Sequence, residues 1–233
     1  MLTLAVDTSA VTATAALADG DALIAQTSVD GAKTHSETLL PAVAQMMESA
    51  HILPQDIELY ACTVGPGSFT GIRIGVSAVK GLAFGRGKPC VALCSVDVLA
   101  ENLRGVPDIL VCPVMDARRN IFYNALYRNG EKLCDTRLIS GEELCTELAW
   151  RGERVCFVGD GMHALTRAMQ GSEFVIPTPE VLVRPSGFAA ALCAQRMYGE
   201  GVGVCTDIAL KPFYLRPTQA ERERLAALEG GEA

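Results

Sequence analysis

The sequence predicts an α/β protein made of two tandem β-β-β-α-β-α-β-α units. Three observations predict it. An apolar strand pattern ends in aspartate twice, at residues 2–6 before Asp7 and 109–115 before Asp116. Each is followed by a second strand pattern and a hairpin signal, residues 11–17 before Asp19-Gly20 and 121–127 before Asn129-Gly130. Asp7 to Gly20 spans 13 positions and Asp116 to Gly130 spans 14, so one hairpin repeats the other. Finally, a later apolar strand in each unit runs into a glycine turn, Gly65-Pro66-Gly67 and Gly159-Asp160-Gly161.

The remaining elements follow in order. Residues 21–29 supply a third strand, matched by 131–139. Thr34-His35-Ser36-Glu37 is a capping box that opens a helix to about Ala50, and Ser140-Gly141-Glu142-Glu143 opens one to about Trp150. Pro41 falls past the first turn of the former and predicts a kink or a restarted helix. Strands at 57–64 and 154–158 precede the glycine turns, and helices at 68–86 and 162–170 follow them. Strands at 89–94 and 173–177 come next, and helices starting at Ser95 and Ser186 close the two units. The boundary falls near Gly105, giving units at 1–104 and 105–199. Residues 200–217 read as extended, and a capping box at Thr218-Gln219-Ala220-Glu221 opens a short charged helix within the 200–233 tail.

Composition limits the function. The chain has 233 residues, 49% apolar and 20% charged, enough for a packed core. A net charge of −7 is the reverse of what a non-specific nucleic-acid binder carries. No apolar run reaches the 18 or so residues of a membrane span, and no basic segment precedes an apolar stretch, so a cytoplasmic location is expected. The nine cysteines form no CxxC and read as reduced core residues. Only three histidines occur, His35, His51 and His163, which argues against a histidine metal site.

The duplicated topology with an aspartate after the first strand resembles the actin, hexokinase and sugar-kinase superfamily, whose members bind ATP between their two halves. That chemistry needs a hairpin whose backbone approaches phosphate closely, hence glycine. Here the first hairpin reads Asp7-Thr8-Ser9-Ala10 and the second Asp116-Ala117-Arg118-Arg119. Hydroxyl or guanidinium contacts to phosphate remain open to them. The other reading is that each aspartate caps its own turn. Gly65, Gly67 and Ser68 form a strand-to-helix turn suited to an anion, as do Gly159 and Gly161, although glycine freedom in a tight turn explains them equally well.

Two helices carry unusual faces. Gly71, Gly75 and Ala78 make a small-residue stripe on the helix from 68, with Ile72, Val79 and Leu82 beside it. Interior glycine costs about 1 kcal/mol relative to alanine, so the stripe implies close approach of something, either the protein's own sheet or a partner helix. The helix from 34 carries Leu39, Val43 and Met46 on one stripe and Leu40, Ala44 and Met47 on the next, an arc wider than one core contact requires. Together these faces predict a partner surface.

Six stretches carry a closer resemblance: LAVDTS (4–9), HSETLLP (35–41), VGPGSFTGIRIGVSAVKGLA (64–83), MDARRNIFY (115–123), VGDG (158–161) and PFYLR (212–216). They resemble the TsaB (YeaZ) family of bacterial tRNA-modification proteins. The resemblance implies a non-catalytic partner of TsaD, which transfers threonylcarbamoyl to the adenosine beside the tRNA anticodon. It implies TsaE, an ATPase, as a further partner, tRNA contact through the complex, and a partner face on the first two helices. A homodimer without TsaD and an ATP or ADP molecule at a shared interface are further expectations, with no intrinsic cofactor. TsaD holds a metal with a His-x-x-x-His pair, and here His35 is followed four residues later by Leu39, so no metal is expected. A small-molecule kinase or ATPase of the superfamily is the alternative, and a peptidase is disfavoured because no activated nucleophile or paired-histidine site is visible.

Overall fold

A computed structural model describes residues 1–30 and 34–215. In the first half, β1 (Leu2–Asp7), β2 (Ala13–Asp19) and β3 (Ala22–Val29) form the predicted meander. Next come α1 (His35–Ser49), β4 (Leu59–Gly65), α2 (Phe69–Ala83), β5 (Cys90–Cys94) and α3 (Ser95–Glu101). The Glu37 carboxylate accepts the Thr34 amide at 3.1 Å and the Thr34 hydroxyl at 2.8 Å, which starts α1 where expected. α1 runs through Pro41 as one element, because the proline lies on its exposed side.

In the second half β6 (Leu110–Asp116) is central. β7 (Ile121–Asn124) and β8 (Tyr127–Arg128) are two ends of one strand, both in antiparallel register with β6 and interrupted at Ala125 and Leu126. The expected third strand is likewise divided into β9 (Glu131–Lys132) and β10 (Arg137–Ser140). Then follow α4 (Gly141–Arg151), β11 (Val155–Val158), α5 (Met162–Ala168), α6 (Glu180–Val183), α7 (Gly187–Glu200) and β12 (Val204–Cys205). The predicted strand at 173–177 is reduced to a single bridge between Val155 and Val175. The predicted helix from Thr218 lies outside the described residues.

The first sheet has the order β12-β5-β4-β1-β2-β3; in the second, β10-β7-β6-β8-β9 carries β11 beside β6. In both, the meander strand pairs in parallel with the strand before the glycine turn, β1 with β4 and β6 with β11. This is the two-half fold of the actin, hexokinase and sugar-kinase superfamily.

The closing helices depart from expectation. Val96, Leu99 and Ala100 of α3 belong to the second half's core, packed with Val111, Met115 and Tyr123. Ala189, Ala190, Ala191, Cys193 and Ala194 of α7 cover the first sheet, against Ala5, Ala18, Leu59, Ala61 and Val91. α7 has thus crossed to the first sheet, where an alanine-rich helix fits closely over a face itself rich in alanine, while α3 lies between the halves, with Val98 buried in the same core as α7. Beyond α7 the chain stays with the first half. β12 extends the first sheet, and Leu210 is buried in its other core face beside α1 and α2.

Candidate functional site

A cleft of about 760 Å³ opens between the two halves. Ser9, Gly67, Ser68 and Gly71 line it from the first half, and Asp116, Arg118 and Asp160 from the second. The sequence reading thus brought together residues from both hairpins and one glycine turn. It missed the aromatic wall. Phe69, Tyr123, Phe213 and Tyr214 also line the cleft, and the PFYLR stretch was the only signal for the last two.

The floor is closed by the protein's own atoms. Asp7 is fully buried, and its Oδ1 accepts the Ser9 amide at 2.8 Å, the Ser9 hydroxyl at 2.7 Å and the Thr63 hydroxyl at 2.9 Å. Asp7 therefore caps its own turn. Burial pushes its carboxyl above the usual range, while Ser9 and Thr63 pull it back down. Among the described residues its Oδ2 has no partner.

The glycine turn holds the same loop from above. The Ser68 amide at the head of α2 donates to the Ser9 carbonyl at 2.7 Å, so this amide is taken by the chain itself. The Thr8 hydroxyl donates to the Gly71 carbonyl at 2.8 Å. A Cβ at Gly71 would collide with the Thr8 carbonyl, one at Gly75 with the Thr8 hydroxyl, and one at Gly67 with the Ser9 carbonyl. The small-residue stripe admits the first hairpin, so the partner-helix reading of Gly71 and Gly75 is corrected.

The apolar arc is corrected for the same reason. Leu39, Val43, Met46 and Met47 are buried in one core with Ile72, Ala78 and Val79, and Leu82 is partly buried against it. These side chains face the sheet and Leu210. What remains outward is a groove of about 500 Å³ between α1 and α2. Leu39 and Ala78 lie along it, and Leu40, Phe69, Arg73 and Ser77 are among its exposed members. Arg73 stacks 4.0 Å over the Phe69 ring and donates to the Tyr214 hydroxyl at 2.8 Å, so one stack separates the groove from the cleft.

The second hairpin is open. Arg118, Arg119 and Asn120 have φ of 73°, 59° and 58°, the left-handed region that costs a non-glycine residue about 1–2 kcal/mol. The Asp116 carboxylate accepts the Arg118 amide at 2.7 Å, and Asp160 accepts the Asp116 amide at 2.8 Å. The Asn120 carbonyl takes the amide of Gly141. The Arg118 guanidinium carries no ion pair among the described residues. Gly159 and Gly161 are buried: a Cβ at Gly159 would strike the Val114 carbonyl, and one at Gly161 the Phe122 ring. His35 Nε2 lies 3.0 Å from the Ala10 carbonyl at the cleft edge. Among the described residues no three His, Cys, Asp or Glu side chains converge to hold a metal ion.

The fold and cleft define a two-half α/β protein of the actin, hexokinase and sugar-kinase fold class whose first hairpin is sealed by its own chain. A family model described as TsaD: tRNA N6-adenosine threonylcarbamoyltransferase matches residues 29–211. The tRNA threonylcarbamoyladenosine biosynthesis protein TsaB of Bacillus subtilis is 40% identical over 128 residues, 55% of this chain and 56% of that protein, so the match spans little more than half of that relative. The Escherichia coli TsaB is 30% identical over 193 residues, covering 79% of this chain and 81% of that one. YeaZ from Pseudomonas aeruginosa has the same fold, with a TM-score of 0.72 at 22% identity over 92% of this chain and 99% of that chain. The chain belongs to the tRNA N6-adenosine threonylcarbamoyltransferase family and, within it, to the TsaB (YeaZ) branch of tRNA threonylcarbamoyladenosine biosynthesis proteins. No helix among the described residues is long and apolar enough to cross a membrane.

Proposed function

We propose that this chain is a non-catalytic partner of a TsaD-type subunit in threonylcarbamoyl transfer to the adenosine beside the tRNA anticodon. The observation that carries the reading is the sealed first hairpin. Ser9 occupies the helix-head amide that a phosphate would use, and Thr8 fills the space that two helix glycines leave. A loop consumed in bracing α2 supports a scaffold better than a phosphotransferase. The half-exposed Leu40 and Phe69, beside Arg73, offer that partner a groove with an apolar floor and a polar rim. TsaE is the further partner, tRNA is gripped through the complex, and ATP or ADP binds only where the two subunits meet. The protein acts in the cytoplasm and self-associates through the same groove when TsaD is absent.

The test compares exposed groove positions on α1 and α2 with a buried neighbour on α1. Leu40→Asp and Ser77→Arg change exposed groove positions and should leave the melting temperature within about 2 °C of wild type. Each should weaken TsaD binding at least tenfold. Leu39→Asp buries a charge and should unfold the chain. Wild-type TsaD affinity in both groove variants would remove the groove from the interface. Calorimetry of the isolated chain giving a low-micromolar ATP Kd, about −8 kcal/mol, would restore the kinase alternative.

A further inference from the structure

We infer that Cys90 and Cys205 form a redox clasp, joined by a disulfide-class oxidant into a bond that fastens β12 to β5. The inference is independent of the partner reading. Cys205 stands directly opposite Cys90 in the antiparallel ladder. Opposed Cα atoms in such a ladder are about 5.5 or about 4.5 Å apart according to the hydrogen-bond pattern, and both values fall within the span a disulfide bridges. The two side chains share a sheet face, since Cys90 is in the core beside α2 and Cys205 packs against it. Cys62 lies on that face too, but its register partner on β5 is Ala92, so it does not oppose Cys90.

Both thiols are free. Burial pushes the Cys90 thiol up to about 12 and raises that of Cys205. The reduced pair is therefore inert until the edge lifts, and β12 is an edge of only two residues. With oxidised glutathione, the Cys205 thiolate attacks one glutathione sulfur and expels a glutathione thiolate. Cys90 then attacks the Cys205 sulfur and expels the second. Two protein thiols are oxidised, one glutathione disulfide is reduced to two thiols, and the two thiol protons pass to the leaving glutathiones.

The clasp would fix more than two residues. Downstream of Cys205, Lys80 Nζ donates to the Ile208 and Leu210 carbonyls, and the Phe213 amide donates to Val64 at 2.7 Å. Phe213 and Tyr214 then wall the cleft. Closing the bond ties this strap to the first sheet at its root.

The full chain is incubated with oxidised glutathione, alkylated in denaturant and digested without reduction. A peptide joining Cys90 to Cys205 is expected, absent in Cys205→Ala and in Cys90→Ala, and reversed by dithiothreitol. Amide exchange at Leu210 and Phe213 should slow at least tenfold in the oxidised protein. Recovery of Cys90 fully alkylated, accumulation of only a glutathione adduct on Cys205, or a link from Cys90 to Cys62 would each overturn the inference. So would an oxidised protein whose strap exchanges as fast as the reduced one.

Discussion

The hairpins after β1 and β6 share one pattern, an aspartate that accepts the amide two residues on, and they end in different states. The first is buried, held by Gly67, Gly71 and Gly75, and its side chains hydrogen-bond inward. The second is exposed on three left-handed residues, Arg118, Arg119 and Asn120, of which Arg118 lines the cleft. The same backbone motif becomes a brace where Gly67, Gly71 and Gly75 let a helix close over it, and a strained, accessible loop where only Gly141 approaches its far end at Asn120.

The largest test of this contrast is Gly71→Val. The new side chain has nowhere to go but into Thr8, so a loss on the order of 3 kcal/mol and a fall in Tm of about 6–12 °C are expected by calorimetry. A wild-type Tm would show that the first hairpin can move aside. Next comes Asp7→Ala, which strips the acceptor from the Ser9 amide and from the hydroxyls of Ser9 and Thr63. A loss of about 2 kcal/mol in urea unfolding is expected.

Glycine should act with opposite sign in the second hairpin. Arg119→Gly relieves a left-handed arginine and should stabilise by about 0.5–1 kcal/mol, whereas Gly67→Ala should destabilise. Equal signs in the two would mean the second loop carries no strain.

The smallest effect is a pH dependence. The folded carboxyl of Asp7 lies above its unfolded value, so the unfolded chain gives up this proton first as pH rises. The contribution of Asp7 to stability therefore falls between the unfolded and folded values and stays low above them. Asp7→Asn removes this fall, and the difference between wild type and variant should shift against wild type as pH rises from about 4 to neutrality. A difference independent of pH would mean Asp7 keeps an ordinary carboxyl.

The duplication, both hairpins and the capping boxes at Thr34 and Ser140 were legible because each rests on local chemistry. Glu143 taking the Ser140 amide at 3.1 Å is an example. Partners distant in sequence were not. The arc on α1 signalled burial correctly, but nothing in Leu39 or Met46 says whether a sheet or a stranger covers it. The glycines of α2 signalled close approach, and only the fold shows that Thr8 is what approaches. α7 buries Ala189, Ala190, Ala191, Cys193 and Ala194, which tells little about which sheet it serves. β12 has two residues, too few to show any period.

The crossing of α7 to the first sheet sets an order of events during synthesis. When β5 leaves the ribosome the first sheet has all its strands but β12, yet the face carrying Ala5, Leu59, Ala61 and Val91 still waits for α7. The 92 residues between Cys94 and Gly187 take roughly 5–20 s to make. Through that interval the nascent chain carries an uncovered apolar sheet, which the second half must fold around without capturing. The first half cannot complete this core until α7 is made, so a chain arrested before residue 187 is expected to leave the face open.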